Sequence, residues 1–380
     1  MSGAMDIVVL GLSLRSSWGN GHATTYRALI QALEQRGDRV LFLERDVPWY
    51  ADHQDLSTEL PGQLALYRDL EELKHVHAKA VAEADMVIVG SFVPQGIGVG
   101  AWVQLTATGI VAFYDIDTPV TLAMLARGDC SYLDPLLIPR YDLYLSFTGG
   151  PSLQTLQQCY GAPLAVPLYC SVDPTRYYPE PFEPEFDLGY MGTYSDDRQP
   201  VLERLLLQPA REWSSGRFIV AGPQYPDTIR WPPNVARIDH LAPAQHRGFY
   251  NRQRFTLNVT RADMVAAGWS PSVRLFEAAA CATPIVSDPW DGLDSLFRPD
   301  HEILIADSSH QVLEWIRDLP EERRCSIGRN AQQRVLAEHT AEHRAQTLHE
   351  YVDRTVQRRL PYRSQRRTDH AYQARSEADR

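Results

Sequence analysis

The sequence predicts an α/β protein built as two Rossmann-like domains facing each other across a cleft, with a long helix near the C-terminus. Three observations carry that expectation. Short, near-continuous apolar runs alternate with amphipathic helical patterns almost from end to end, as parallel sheets covered on both faces require. The alternation lapses once, from Ser171 to Glu185, where Pro, Glu and Tyr crowd together without periodicity, and then resumes. The length of 380 residues is too great for one ordinary hydrophobic core and comfortable for two.

The first series of strands reads Ile7–Leu10, Val40–Leu43, Met86–Val89, Ile110–Tyr114, Leu143–Phe147 and Leu164–Leu168. The pattern His22–Arg36 is its first helix, apolar at Tyr26, Leu29, Ile30 and Leu33 and stopped by Gly37. The second series reads Leu188–Met191, Phe218–Ala221, Thr256–Val259, Pro284–Ser287 and Ile303–Ile305, with a further short strand near Ile238. One helical pattern then runs from Glu321 to about Arg359, and the last twenty residues have the polar composition of a disordered tail. The expected domains are therefore 1–170 and 186–345, joined by a linker at 171–185 and followed by a terminal helix and flexible tail at 346–380.

Composition excludes several classes. A net charge of −11 argues against general affinity for nucleic acid or an anionic membrane. Lys74 and Lys79 are the only lysines, so phosphate binding falls to arginine, helix N-termini and hydroxyls. The five cysteines are scattered with no C-x-x-C pair, which suits a reduced compartment. No leader-like segment precedes Asp6, and no apolar run has the length of a membrane span, so a cytoplasmic location is expected.

Open parallel sheets bind ligands where strands run into loops at their carboxyl ends. After the first strand, Gly19-Asn-Gly21-His22 leads into a helix. The glycines permit close backbone approach, and His22 at the helix start is placed to act as a general base on a hydroxyl. The glycine spacing is not G-x-G-x-x-G, which argues against a nicotinamide site. The segment Asp115-Ile-Asp117-Thr-Pro119 ends another strand. Either carboxylate suits orientation of His22, and a plain helix cap at Thr118-Pro119 is the structural alternative. The same segment spells D-x-D, the metal–diphosphate clamp of a different, single-sheet fold.

The densest constellation is Gly268-Trp-Ser270-Pro-Ser272-Val273-Arg274-Leu-Phe-Glu277-Ala-Ala-Ala. Ser272 suits an N-cap, and the amides behind it suit a diphosphate. Glu277 sits a turn inside the helix before three alanines, which imply close packing and turn a carboxylate inward. Vicinal sugar hydroxyls would satisfy it; an Arg274–Glu277 pair is the alternative. The sequence His339-Thr-Ala-Glu342-His343 matches an inverted zinc-peptidase motif, but it lies in a charged terminal helix and reads as a solvated face.

Taken together, Gly19-Asn-Gly-His22, Glu44-Arg-Asp-Val-Pro-Trp49, Asp115-Ile-Asp-Thr-Pro119 and Ser270-Pro-Ser-Val-Arg-Leu-Phe-Glu277 resemble the GT-B glycosyltransferases, most closely the CgeB-like (spore maturation protein) group. The resemblance spans about Asp6 to Leu348. It implies that the N-terminal domain takes the acceptor and the C-terminal domain a nucleotide sugar, with a UDP- or dTDP-sugar favoured. Glu277 would bind the ribose hydroxyls, and Ser270, Ser272 and Val273 would line the phosphates with Arg274 beside them. The loop Gly192–Arg198 would reach the diphosphate through Arg198 or a hydroxyl such as that of Tyr194. His240 and Leu241 would border the base, while Gly21 would approach the donor from the other domain. No metal or other cofactor is called for, and the acceptor is a small molecule, glycan or protein.

One departure is plain. Trp269 stands eight residues before Glu277, where large retaining families carry a first glutamate, so a retaining mechanism does not transfer and an inverting one using His22 stays open. A non-hydrolysing nucleotide-sugar epimerase and a catalytically silent nucleotide-sugar-binding or assembly protein remain as alternatives. A pyridoxal-dependent phosphorylase does not fit, because both lysines lie in one charged N-terminal helix.

Overall fold

In the computed structural model, residues 3–17, 21–55 and 62–358 are described. Trp18, Gly19 and Asn20 of the first loop and the tail beyond residue 358 lie outside them.

The N-terminal sheet contains β1 (Asp6–Gly11), β2 (Arg39–Arg45), β3 (Gln63–Tyr67), β4 (Met86–Gly90), β5 (Ile110–Asp115), β6 (Leu143–Ser146) and β7 (Ala165–Pro167). Its seven strands lie in the order β3-β2-β1-β4-β5-β6-β7, and all pair in parallel. The second sheet contains β8 (Phe186–Met191), β9 (Phe218–Ala221), β10 (Val235–Ile238), β11 (Gln253–Asn258), β12 (Ile285–Ser287) and β13 (Leu304–Ile305). Its six strands run β10-β9-β8-β11-β12-β13, again wholly parallel. Strand order reverses between β1 and β4 in one domain and between β8 and β11 in the other, and each reversal opens a crevice at the carboxyl edge.

Alternate residues of β1 show why the runs are continuously apolar. Ile7 and Val9 enter one core and Val8 and Leu10 another, on opposite faces of the sheet. The first of these cores continues through Cys170, Val172 and Tyr177 into Leu275, Phe276 and Ile285, so apolar packing crosses from domain to domain.

Two features differ from the sequence expectation. β3 is an edge strand with mostly half-exposed residues, and its Gln-Leu-Ala-Leu-Tyr run lacks the apolar density of a central strand. The long terminal helix is also two helices, Glu321–Glu338 and 341–358. They break at His339–Thr340, where Thr340 forms a parallel bridge with Val172. Val172 N donates to His339 O, and Ala341 N donates to Val172 O. The chain thus crosses between domains twice, side by side.

The helix 341–358 rests on the N-terminal domain. Tyr351 donates to Pro167 O (3.0 Å), and Arg344 donates to Tyr169 O (3.0 Å) and Cys170 O (3.4 Å). His349 Nε2 lies 2.7 Å from the buried Asp38 carboxylate, whose other oxygen accepts from Met5 N at 2.9 Å. Removing the histidine strands that carboxylate. His349→Ala is expected to lower stability by about 1–3 kcal/mol in urea unfolding. Glu350→Ala, at an exposed neighbour, should stay within about 0.5 kcal/mol of wild type.

Candidate functional site

The loop after β1 is held from two sides. Glu44, at the end of β2 and fully buried, accepts from Ser13 Oγ, Leu14 N, Arg15 N and Arg15 Nε. Asp55 accepts from Ser17 N and from Arg27 Nη2 at 2.7 Å. Gly21 then caps the helix His22–Gln35, of which His22 is the first residue. The buried Glu44 and the more exposed Asp55 therefore hold the loop that leads to His22, and Glu44 gives the Glu-Arg-Asp-Val-Pro-Trp segment a structural purpose.

His22 is buried, with Nε2 3.9 Å from Asp117 Oδ2. Its ring meets Phe92 edge-on at a centroid distance of 5.6 Å, and Phe92 in turn packs on Tyr132 at 4.5 Å. Phe92 holds a left-handed backbone, φ 62°, directly after β4 at the switch point. A bulky residue in that conformation is strained, and such strain gathers at ligand sites.

The two aspartates separate. Asp117, at the N-cap of the helix Thr118–Arg127, faces His22. Asp115 turns into the core and accepts from Thr121 Oγ1 and Tyr144 OH, both at 2.7 Å, and makes no ion pair with His22 among the described residues. Burial pushes the Asp115 carboxyl up from 3.8 to about 6 against those two hydroxyl donors.

The C-terminal domain presents arginines. Arg198, Arg261 and Arg274 lie close enough to repel one another. Arg198 is half-buried; one Nη donates to Thr193 O at 2.8 Å, while its Nε is buried with no hydrogen-bond partner among the described residues. Desolvation, followed by repulsion from Arg274 and Arg261, depresses its pKa. Arg274 donates to Asn258 Oδ1 at 3.0 Å and lies 5.3 Å from the Tyr190 ring centroid. Neither Arg198 nor Arg274 forms an ion pair among the described residues, and Arg261 reaches Asp197 only at 4.0 Å. The nearby Asp288 gives its oxygens to Thr260.

Ser272 is the N-cap of the helix Val273–Ala280, yet its hydroxyl donates to Asn258 Oδ1 (2.8 Å) rather than capping an amide. The first amides of that helix, at Val273 and Arg274, are thus not capped by the Ser272 side chain. Ser270 instead sits at the domain seam, with its hydroxyl 2.9 Å from Thr148 Oγ1. Gly149 N donates to Trp269 O beside it at 2.9 Å, and Trp269 packs so tightly on Gly150 that a Cβ there would lie 2.5 Å from the ring. Trp269 is thus a wedge between the domains. Tyr194 donates to Asp196 and stacks edge-on with Tyr225 at the rim.

Glu277 is buried and receives Tyr250 OH at 3.0 Å. Arg274, its i,i+3 neighbour, turns instead to Asn258. His246 Nδ1 stands 4.0 Å from Glu277 Oε2, while its Nε2 donates to Leu241 O at 3.2 Å. His240 is exposed on the turn after β10. Leu241 enters here through its backbone carbonyl, and the sequence analysis passed over His246, Tyr250 and Arg261. Only Arg261, a cation just past the end of β11, carried a positional signal. His339 stacks on Phe276 and takes a hydrogen bond from Arg344, and burial holds its pKa down at about 3.

The helix Ala262–Ala267, following Arg261, packs on the helix Thr118–Arg127, following Asp117. The imidazole–carboxylate pair and the arginine cluster thus face the same cleft. A cavity of about 420 Å³ extends it between the domains, with Glu277 in its wall.

Two carboxyl edges opposed across a cleft define the GT-B fold, and comparison with known proteins agrees. Residues 198–350 match the family described as glycosyl transferase-like. The chain is similar over 92% of its length to sucrose-phosphate synthase from Thermosynechococcus elongatus, at 13% identity, TM-score 0.67 and 98% of that chain. An alpha-glucosyltransferase in complex with UDP aligns at 12% identity and TM-score 0.69, covering 92% of this chain and 100% of the other. The Anabaena protein HepE in complex with UDP and glucose aligns at 14% identity and TM-score 0.67, covering 92% and 99%. At such identities the fold is what is shared. No curated protein sequence matches the chain. No helix among the described residues is long and apolar enough to cross a membrane.

Asp115 supports a pH test. Its folded pKa lies above the unfolded value, so the penalty is absent below about pH 4 and complete above about pH 6. Wild type is expected to lose about 3 kcal/mol from this group across that window. Asp115→Asn should not show that loss when urea unfolding is followed from pH 4 to pH 7.

Proposed function

We propose that the protein is a glycosyltransferase that moves a sugar from a nucleoside-diphosphate sugar to an acceptor hydroxyl without a metal ion. The observation that carries this reading is the arginine cluster. A partly buried guanidinium with an unsatisfied Nε, flanked by two more and by free helix amides, suits a polyanion. A diphosphate would offset the desolvation and the repulsion that depress the Arg198 pKa. The same groups would then offset the charge that grows on the departing diphosphate, which is the task a metal performs elsewhere. The D-x-D carboxylates do not converge, since Asp115 is committed to Thr121 and Tyr144.

Facing that cluster, His22 removes the acceptor proton as the hydroxyl attacks the anomeric carbon, and Asp117 steadies the imidazolium. They stand 3.9 Å apart, within reach of an ion pair once the imidazole is protonated. Glu277, held by Tyr250, accepts the ribose hydroxyls. UDP is the favoured nucleotide, a choice supported by the UDP complexes of HepE and of the alpha-glucosyltransferase. Membership of the CgeB-like group, hexosyl transfer and a cytoplasmic location belong to the same proposal.

The test is a melting-temperature panel with UDP, dTDP and GDP, with and without EDTA. One diphosphate should stabilise wild type irrespective of EDTA, and Glu277→Ala should abolish the shift. His22→Ala should keep the shift while transfer falls about 10²–10⁴-fold. An unchanged transfer rate in that variant would remove His22 from the mechanism, and an EDTA-sensitive shift would remove metal independence.

A further inference from the structure

We infer that the donor's nucleoside is gripped by both domains, with the outward face of the helix His22–Gln35 forming the second wall of its pocket and Gln31 reading the base. This rests on the glycosyltransferase reading above and extends it to a part of the N-terminal domain that has no role there.

The cavity between the domains, about 420 Å³, is of a size that holds small ligands. On the N-terminal side it is lined by Thr24, Arg27, Ala28 and Gln31. These positions are i, i+3, i+4 and i+7, a single stripe along one helix. At 1.5 Å per residue, the stripe places Gln31 about 13 Å along the axis from His22. The stripe lies about half a turn round the helix from His22, so it faces this cavity while His22 leaves from the first turn.

Charge identifies which part of the donor this cavity takes. Each arginine in its wall is paired with a carboxylate. Arg27 lies 2.7 Å from Asp55, Arg176 3.5 Å from Asp173, and Arg247 3.0 Å from Glu180. Arg198 and Arg274, which form no ion pair among the described residues, lie outside this cavity's wall, so the phosphates belong with them and the cavity suits an uncharged group. Glu277 offers its wall a buried carboxylate acceptor, as a diol requires. Ala28 from one domain and Pro243 and Ala244 from the other supply small apolar surfaces between which a flat ring fits. The amide of Gln31 then stands at the ring's edge with both donor and acceptor capacity.

Calorimetric titration separates the possibilities, using UDP, dTDP and GDP with inorganic pyrophosphate as control, on wild type, Gln31→Ala, Ala28→Leu and Glu277→Ala. Unliganded melting temperatures verify folding of each variant. Gln31→Ala should weaken the preferred nucleoside diphosphate about tenfold, the size of one lost hydrogen bond. Ala28→Leu, which fills the slot, should weaken it further, and pyrophosphate affinity should be unchanged in both. If both variants bind as wild type while Glu277→Ala does not, the C-terminal domain alone holds the nucleoside and this inference is overturned. If wild type binds pyrophosphate but no nucleoside diphosphate, the donor reading itself fails, and this inference with it.

Discussion

Both sheets are parallel from edge to edge, and that constraint organises everything else in the molecule. Parallel strands need crossovers, and the crossover helices cover both faces. Only the carboxyl edge is left where loops are free to carry side chains outward. The strand-order reversals at β1/β4 and β8/β11 open a crevice in each such edge. The domains turn these edges toward each other, and two adjacent chain crossings at Val172 and Thr340 hold them. The apolar core that passes through Cys170, Val172 and Tyr177 makes the seam an extension of the interior, and the Trp269 wedge closes one end of it.

Within the cleft, the distribution of charge follows from which cations have partners. The cavity arginines are neutralised by Asp55, Asp173 and Glu180, so they shape the wall without attracting an anion. Arg198 and Arg274 are left to backbone carbonyls and an asparagine. A buried cation short of one partner is unfavourable in the unliganded protein. That state is tolerable where a ligand supplies the missing charge, and the helix amides beside Ser272 add to the same field. Opposite them, His22 follows a loop pinned by Glu44 and Asp55, and its partner Asp117 comes from the turn after β5.

The architecture was legible in the sequence because parallel strands buried on both faces are the most apolar runs a soluble chain contains. β3 escaped because an edge strand needs only one good face, and Gln63–Tyr67 has little more. The break at His339 escaped because it answers a tertiary demand, the bridge to Val172, that helical periodicity does not record. Residue types at the site were legible where one position decided them: His22 opens its helix, and Glu277 stands before alanines that leave it no room to turn outward. Partnerships were not legible. Nothing in Asp115-Ile-Asp117 tells which carboxylate meets His22, since the choice is made by Tyr144 and Thr121 reaching Asp115 first. Ser270 likewise looks like a phosphate ligand until Thr148, 122 residues distant, takes its hydroxyl.

These departures from the simplest packing lie on both sides of one cleft. Asp115 is kept as a buried carboxyl although burial raises its pKa, Phe92 accepts a left-handed backbone, and Arg198 keeps an unsatisfied Nε. Each is individually unfavourable, through burial of a charge, backbone strain or a missing hydrogen bond. Asp115 holds Thr121, whose amide and hydroxyl both reach the Asp117 carbonyl, so the unfavourable carboxyl fixes the turn that carries the His22 partner. Phe92 sets the plane against which the imidazole lies, and Arg198 keeps its place before any anion arrives. Strain and desolvation are spread over the scaffold behind the reacting groups, so that little reorganisation remains when substrates bind. A fold optimised for stability alone would replace these side chains first, and their grouping on one cleft is what marks it as the candidate site.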